Sequence, residues 1–481
     1  MRTQPGKSER TAGGRRVDSW RSELPSLAAV MCLAIAGSAG LAQGLDFGSR
    51  DARSSPASLA KASIYEIWLD AFSEQGNLRG AIPRLNEVAQ LGATIVYLGP
   101  IAKRSAEPHA SPYSIADYDA VDPEAGSEQD LRDFVAAAHA LHLQVMLDVV
   151  FYHTAPGHVW RKTHPEFFRK AEDGALVRGF WPQPLPDFTN PAVRQALTES
   201  LVHWVRDFGV DGVRCDVGGG VPVTFWEGAR QALDAVRPGV LLLSESDRPD
   251  DQLRAFDLNY NFQWYLTLRS VLRDGAPASA LRANWEQMHR TMPHGARLLH
   301  FSDNHDWPRA VLQFGERGAM AASLLDFTLD GVPFLYNGQE IDDPLPTSWR
   351  RVVPIHWPPS DRAEAGTAGE TRDRYTRLFH LRATEPALSA GEVVWVNNSA
   401  PESVVSFLRR KGSTEVLVMV NLSNRRTPVT VDLPVMEYSS VDNLLEPGAT
   451  YFSLYSGRVS AELPAFGFVV GRKIPLAKLQ Q

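Results

Sequence analysis

Cysteine is nearly absent from this chain: 481 residues hold two, Cys32 and Cys215. Two cysteines supply neither a disulfide framework nor a cysteine-based metal cluster. Equally missing is any run of lysine and arginine interleaved with aromatics, and the formal net charge of −7 exerts no general pull on a phosphate backbone. Nucleic acid is therefore excluded as an expected partner. The apolar run LAAVMCLAIAGSAGLA at 27–42 falls short of the roughly 20 residues that a spanning helix needs. What is present is an ordinary globular balance, 44% apolar and 22% charged, in a chain long enough for one large domain plus attachments.

The first 42 residues have the order of a secretory leader: basic residues through Arg21, the apolar run, then small residues suited to cleavage near Ala39 or Ala42. Met31 ahead of Cys32 does not suit a lipoprotein site. Removal of this segment leaves Cys215 alone and fits export to a bacterial periplasm or medium, with no membrane attachment afterwards. Residues 43–61 are small and polar and read as a linker.

Beyond them, short apolar or β-branched runs at 64–69, 94–98, 145–150, 210–215, 240–244, 298–301 and 332–336 alternate with amphipathic stretches. The stretch EQDLRDFVAAAHALH puts Leu131, Phe134, Val135 and Ala138 on one helical face. RQALTESLVHWVRDFG does the same with Leu197, Leu201, Trp204, Val205 and Phe208. Such alternation predicts an α/β fold with a parallel sheet. No glycine-rich fingerprint follows the first run, which favours a closed (β/α)8 TIM barrel over an open dinucleotide-binding sheet. The barrel is expected over 62–387, with a long Pro- and Trp-rich excursion at 152–208 after the third strand. From 388 to 481 short strands with turn signals predict an antiparallel β-sandwich.

Polar residues gather just past the strand ends: Asp148, Asp216, Glu245 and, within FSDNHDWPR, His305 and Asp306. In a closed parallel barrel those ends converge on one face, where chemistry sits. Taken singly, Asp148 reads as a turn residue, Arg214 and Asp216 as a structural ion pair, His153 and His305 as core histidines, and Tyr113 and Trp181 as packing aromatics. Their joint, ordered occurrence argues otherwise.

Together these segments resemble the α-amylase superfamily of glycoside hydrolases, from about residue 64 to 470. DVVFYHT resembles the family's first conserved region, with Asp148 and His153. GVDGVRCDV resembles the second, with Arg214 and Asp216. LLLSESD places Glu245, FSDNHD places His305 and Asp306, GVPFLYNGQE is similar to the eighth-strand motif, and SPYSIADYDAVDP aligns Tyr113 with a tyrosine under the reacting sugar. The resemblance implies a retaining enzyme acting on α-1,4-glucosidic bonds of starch-type glucans or maltooligosaccharides; a monomer is expected. Asp216 would be the nucleophile, Glu245 the acid/base and Asp306 the carboxylate that grips sugar hydroxyls; Tyr113, Asp148, His153, Arg214 and His305 would bind substrate. A glucanotransferase, glucosidase or isomerase of the same superfamily, or a non-catalytic glycan-binding relative, are the alternatives.

The pattern departs from the family on one side. Tyr152 stands where many members carry an asparagine that helps bind calcium, and a phenol is a poor ligand for a hard cation. No cofactor is therefore implied with certainty, and calcium at that place is disfavoured. Gly219 and Gly220 replace a common Lys-His, and Asp247 stands where an aromatic often flanks the leaving sugar.

Overall fold

The computed structural model describes residues 46–475 apart from 109, 350, 360–361, 434–437, 446–451 and 456–457. The expected leader at 1–42 lies outside the described residues.

Eight parallel strands close a barrel: β1 (Ile64–Ile67), β2 (Ile95–Leu98), β3 (Gln144–Val149), β4 (Gly212–Cys215), β5 (Leu241–Ser244), β6 (Leu258–Tyr260), β7 (Leu298–His300) and β8 (Val332–Tyr336). Each pairs with its sequence neighbour, and β8 returns to β1 with Ile64 opposite Phe334. The strands read as apolar runs because helices cover them outside and side chains fill them inside; β1, β2, β4, β5 and β8 are buried throughout. Seven of the eight coincide with the expected runs. The other, β6, is three residues long and carries Asn259, whose buried amide donates to Asp251 Oδ2 (2.9 Å) and to the Ser246 carbonyl (3.0 Å). A polar residue in so short a strand erases the apolar signature.

The helices follow local rules. Ser127 caps Glu128–Ala140 reciprocally with Asp130, and Asn190 with Pro191 starts Pro191–Phe208, which ends on left-handed Gly209. Their buried residues include all those placed on the two predicted apolar faces. The excursion after β3 is shorter than the expected 152–208, because Pro191–Phe208 is an ordinary outer-layer helix. Its irregular part holds only short turns and isolated bridges, Phe168 with Pro186 and Arg178 with Pro184 among them.

Residues 46–61 are not a free linker. Leu59 is fully enclosed, the backbones of Ala52 and Arg53 bond to the carbonyls of His294 and Gln252, and Arg53 pairs with the buried Asp257. The segment is a strap held to the barrel by the enclosed Leu59, by backbone bonds and by the ion pair of Arg53.

The tail forms two antiparallel sheets. One orders Glu392–Trp395, Val404–Lys411, Thr414–Asn421, Phe468–Pro475 and Tyr438–Asn443; the other orders Thr427–Asp432, Arg458–Leu463 and Phe452–Tyr455. Leu408, Leu417 and Met419 face the small sheet, whereas Val405, Phe407, Val416 and Val418 join the barrel's own core. Arg409, almost wholly enclosed, donates to the carbonyls of Thr328 (2.5 Å) and Gly391 (2.8 Å). Barrel and tail thus share one continuous interior.

Candidate active site

Arg214 on β4 sits beside Asp148 of β3 in the strand register. Its Nη1 donates to both oxygens of Asp148 and to Asp216 Oδ1, each at 2.9 Å, and its Nη2 lies 2.6 Å from Glu245 Oε1. One buried cation therefore meets three carboxylates, which offsets the desolvation of all four groups. The phenols of Tyr97 on β2 (2.6 Å) and Tyr113 (2.9 Å) also donate to Asp148 Oδ2. With these bonds made and its side chain fully enclosed, Asp148 orients the guanidinium and the two phenols rather than reaching a ligand. This narrows the substrate-binding role expected for it.

Asp216 and Glu245 each follow the last residue of a strand, β4 and β5. The chain then turns sharply: Val217 adopts left-handed backbone angles (φ 44°, ψ 44°), a conformation that costs a β-branched residue energy. The turn aims the Val217 amide at Glu245 Oε2, 2.7 Å away. Burial pushes the Glu245 carboxyl up to about 7, with Arg214 and the Val217 amide opposing and Asp306 adding to the rise. Burial and the charge of Glu245 push Asp216 upward as well, against Arg214. The two titrate as a pair. A pair that keeps one proton near neutrality supplies one carboxylate nucleophile and one carboxylic acid.

The loop after β7 divides the work of FSDNHDWPR. Asp303 Oδ2 accepts from the Ala310 amide (3.0 Å), and Asn304 Oδ1 accepts from the amides of Asp306 (2.9 Å) and Trp307 (3.2 Å). Those two residues hold the loop; His305 and Asp306 point into the site. His305 Nε2 lies 2.7 Å from the Tyr113 hydroxyl and 3.3 Å from Asp306 Oδ2, while its Nδ1 meets Glu66 Oε1 of β1 at 2.5 Å. Its ring is nearly parallel to those of Trp68 (9°, centroids 5.1 Å) and Tyr113 (18°, 5.7 Å). Asp216, Glu245, Asp306, Arg214, His305, Tyr113 and Asp148 are thus brought into one network.

His153 is buried but stands apart from that network. Burial lowers it to about 4, its Nδ1 has no hydrogen-bond partner among the described residues, and its ring meets the edge of Trp181 at 5.4 Å. Beside it the Tyr152 ring lies over Gly220 and Gly179, where an added Cβ would sit 2.7 and 3.1 Å from ring carbons. The glycines are thus what lets the ring fit. A ring rather than a set of hard oxygens occupies this place, and among the described residues no cluster of three or more His, Cys, Asp or Glu is arranged to hold a metal. The residues at this place do not fit calcium. Next to the turn, Arg248 donates to the Gly219 carbonyl (3.0 Å) and pairs with Asp250.

Similarity to known proteins agrees with this geometry. The family model for the α-amylase catalytic domain matches residues 48–175 and 175–353. The chain belongs to the α-amylase family of glycoside hydrolases. It is 28% identical over 405 residues to the α-amylase MalA of Haloarcula japonica and 26% identical over 428 residues to a cyclomaltodextrinase of Geobacillus thermopakistaniensis. These alignments cover 79% and 82% of the chain but 58% and 70% of the relatives. Among solved structures, the maltogenic α-amylase AmyB of Thermotoga neapolitana superposes with a TM-score of 0.79 at 27% identity, over 86% of this chain and 99% of that one.

Three members of the site escaped the sequence reading. Glu66 and Tyr97 sit inside β1 and β2, where a lone polar residue in an apolar run resembles a packing exception, and Val217 carries no compositional mark of its strained turn. Only the partners reveal them.

Proposed function

We propose that the chain is a retaining glycosidase that hydrolyses α-1,4-glucosidic bonds in starch-type glucans or maltooligosaccharides. The observation that carries this is the single guanidinium of Arg214 touching Asp148, Asp216 and Glu245 at once. It holds two carboxyls close together at one barrel mouth, in keeping with a double displacement. Asp216 attacks the anomeric carbon as Glu245 gives its proton to the departing oxygen; Glu245 then takes a proton from water, which displaces Asp216 and restores both groups. Asp306 holds the ring hydroxyls, through bonds that tighten as the ring flattens, and His305, 3.3 Å from Asp306 Oδ2, stands beside it.

The surroundings of the turn at 218–220 bear on the acceptor. Arg248, the cation there, is tied to Asp250 and the Gly219 carbonyl, which disfavours an anionic acceptor such as phosphate. The leader-like order of residues 1–42 supports action outside the cytoplasm, where polymeric glucan is met. Chromatography of products from maltoheptaose over time tests the assignment. Shorter oligomers only are expected; oligomers longer than the substrate would replace hydrolysis by glycosyl transfer.

A further inference from the structure

Glu66 has no part in the chemistry above, yet it is a fully enclosed carboxylate on β1, 2.5 Å from the His305 ring. Its second oxygen, Oε2, has no hydrogen-bond partner among the described residues. A buried carboxylate satisfied at one oxygen only is a cost to the fold, so its presence calls for a use.

The hydrogen-bond directions supply one. Asp148 accepts from Arg214, so the Tyr113 hydroxyl, 2.9 Å from Asp148 Oδ2, is the donor in that contact. Its oxygen is then left to accept from His305 Nε2, 2.7 Å away. His305 therefore carries its proton at Nε2. At the other edge of the ring, Nδ1 and Glu66 Oε1 cannot face each other bare at 2.5 Å; one proton lies between them. A single chain of donors runs Glu66, His305, Tyr113, Asp148, and at its middle Nε2 lies 3.3 Å from Asp306 Oδ2. The ring is kept from turning by Trp68 and Tyr113, both near-parallel to it.

We propose that Glu66 is a positioning residue for the glycosidase reaction: through Nδ1 it fixes the orientation and Nε2-protonated state of His305, and thereby the placement of Tyr113 and Asp306 around the sugar. Burial alone would lower His305; Asp306 and Glu66 outweigh it and carry the imidazole up to about 9. A glutamine at 66 fills the same volume but can either give or accept a hydrogen bond, so the ring's tautomer is no longer dictated. When Nε2 loses its proton, Tyr113 must turn its hydroxyl toward His305 and give up Asp148.

This inference rests on the proposed function, and the test separates the two. The full chain and its Glu66→Gln variant are compared for kcat and KM on maltoheptaose, for thermal unfolding, and for the far-downfield imidazole N–H proton resonance, assigned to His305 by its loss in His305→Gln. The expected result is an Nδ1–H signal in the wild type that disappears in Glu66→Gln. It comes with kcat lower by about 10- to 100-fold, the scale of one charge-assisted hydrogen bond, and KM changed by less than about 3-fold. Unchanged kcat, or a lowered kcat with the His305 signal intact, overturns the role of Glu66. Should the variant not fold, the wild-type spectrum decides: absence of the downfield signal overturns it equally. A wild type without turnover would instead condemn the functional assignment.

Discussion

Replacing Arg214 with methionine keeps an unbranched stem and removes the guanidinium and its charge from between three carboxylates. The wild-type contacts are three of 2.9 Å and one of 2.6 Å, all buried. Deleting one partner of a buried ion pair costs about 3–5 kcal/mol, because the remaining charge is left without compensation. That cost depends on pH in a defined sense. Asp216 and Glu245 already lie above their ordinary values because of burial, and Arg214 is what opposes the rise. Without it they climb further, and a carboxyl raised in the folded state contributes stability that is present at low pH and lost as pH rises through its folded value. The variant should therefore lose about 3–5 kcal/mol at pH 7.5 and clearly less at pH 4.5, where protons neutralise the orphaned acids. Activity at pH 7 should fall about 10²- to 10³-fold in kcat, since the nucleophile spends its time protonated. Urea unfolding at the two pH values, with kcat on maltoheptaose, measures both. Equal stability losses at pH 4.5 and 7.5, or unaltered kcat, would refute the electrostatic argument and leave Arg214 a space-filling residue.

Two further outcomes follow from buried acids. Glu245, raised to about 7 mainly by burial, must be protonated to assist departure, so kcat/KM on maltooligosaccharides should decline as pH rises through about 7; a plateau extending to pH 9 would remove Glu245 from that role. Asp326 is enclosed, accepts from Trp264 Nε1 at 2.9 Å and is pushed by burial up to about 8. Its contribution is thus full at low pH and lost as pH rises through that value. Asp326→Asn should match the wild type in melting temperature near pH 4 and exceed it at pH 9, the gain growing by at most about 1.4 kcal/mol per pH unit between; an equal difference at both ends would disprove it.

What could be read before any coordinates depended on how far each signal reaches along the chain. Leu131, Phe134, Val135 and Ala138 declare a helix face because the helix period is local, and the doubly covered strands declare themselves by unbroken apolar runs. The carboxylates at strand ends were legible because parallel topology sends all those ends to one side. Glu66 was not, since its meaning comes from His305, 239 positions away. Nor was the strap at 46–61, whose polar composition conceals Leu59 and Arg53 seated on the barrel. The tail reads as a β-sandwich from its short strands and turn signals, which do not show that one face of Val404–Lys411 and Thr414–Asn421 packs on the small sheet and the other on the barrel. Asp148 was found by motif, but only its bonds to Arg214, Tyr97 and Tyr113 show that it serves the site by holding other groups in place.

Double displacement requires that Asp216 become covalently attached to the sugar. Incubation with a fluorinated maltosyl fluoride, which slows release of the intermediate, followed by peptide mass spectrometry, tests it without reference to rates. The account predicts a maltosyl adduct on the peptide containing Asp216, at that residue, and products of retained anomeric configuration. An adduct on Glu245 or Asp306, or turnover with inversion and no adduct, would contradict it.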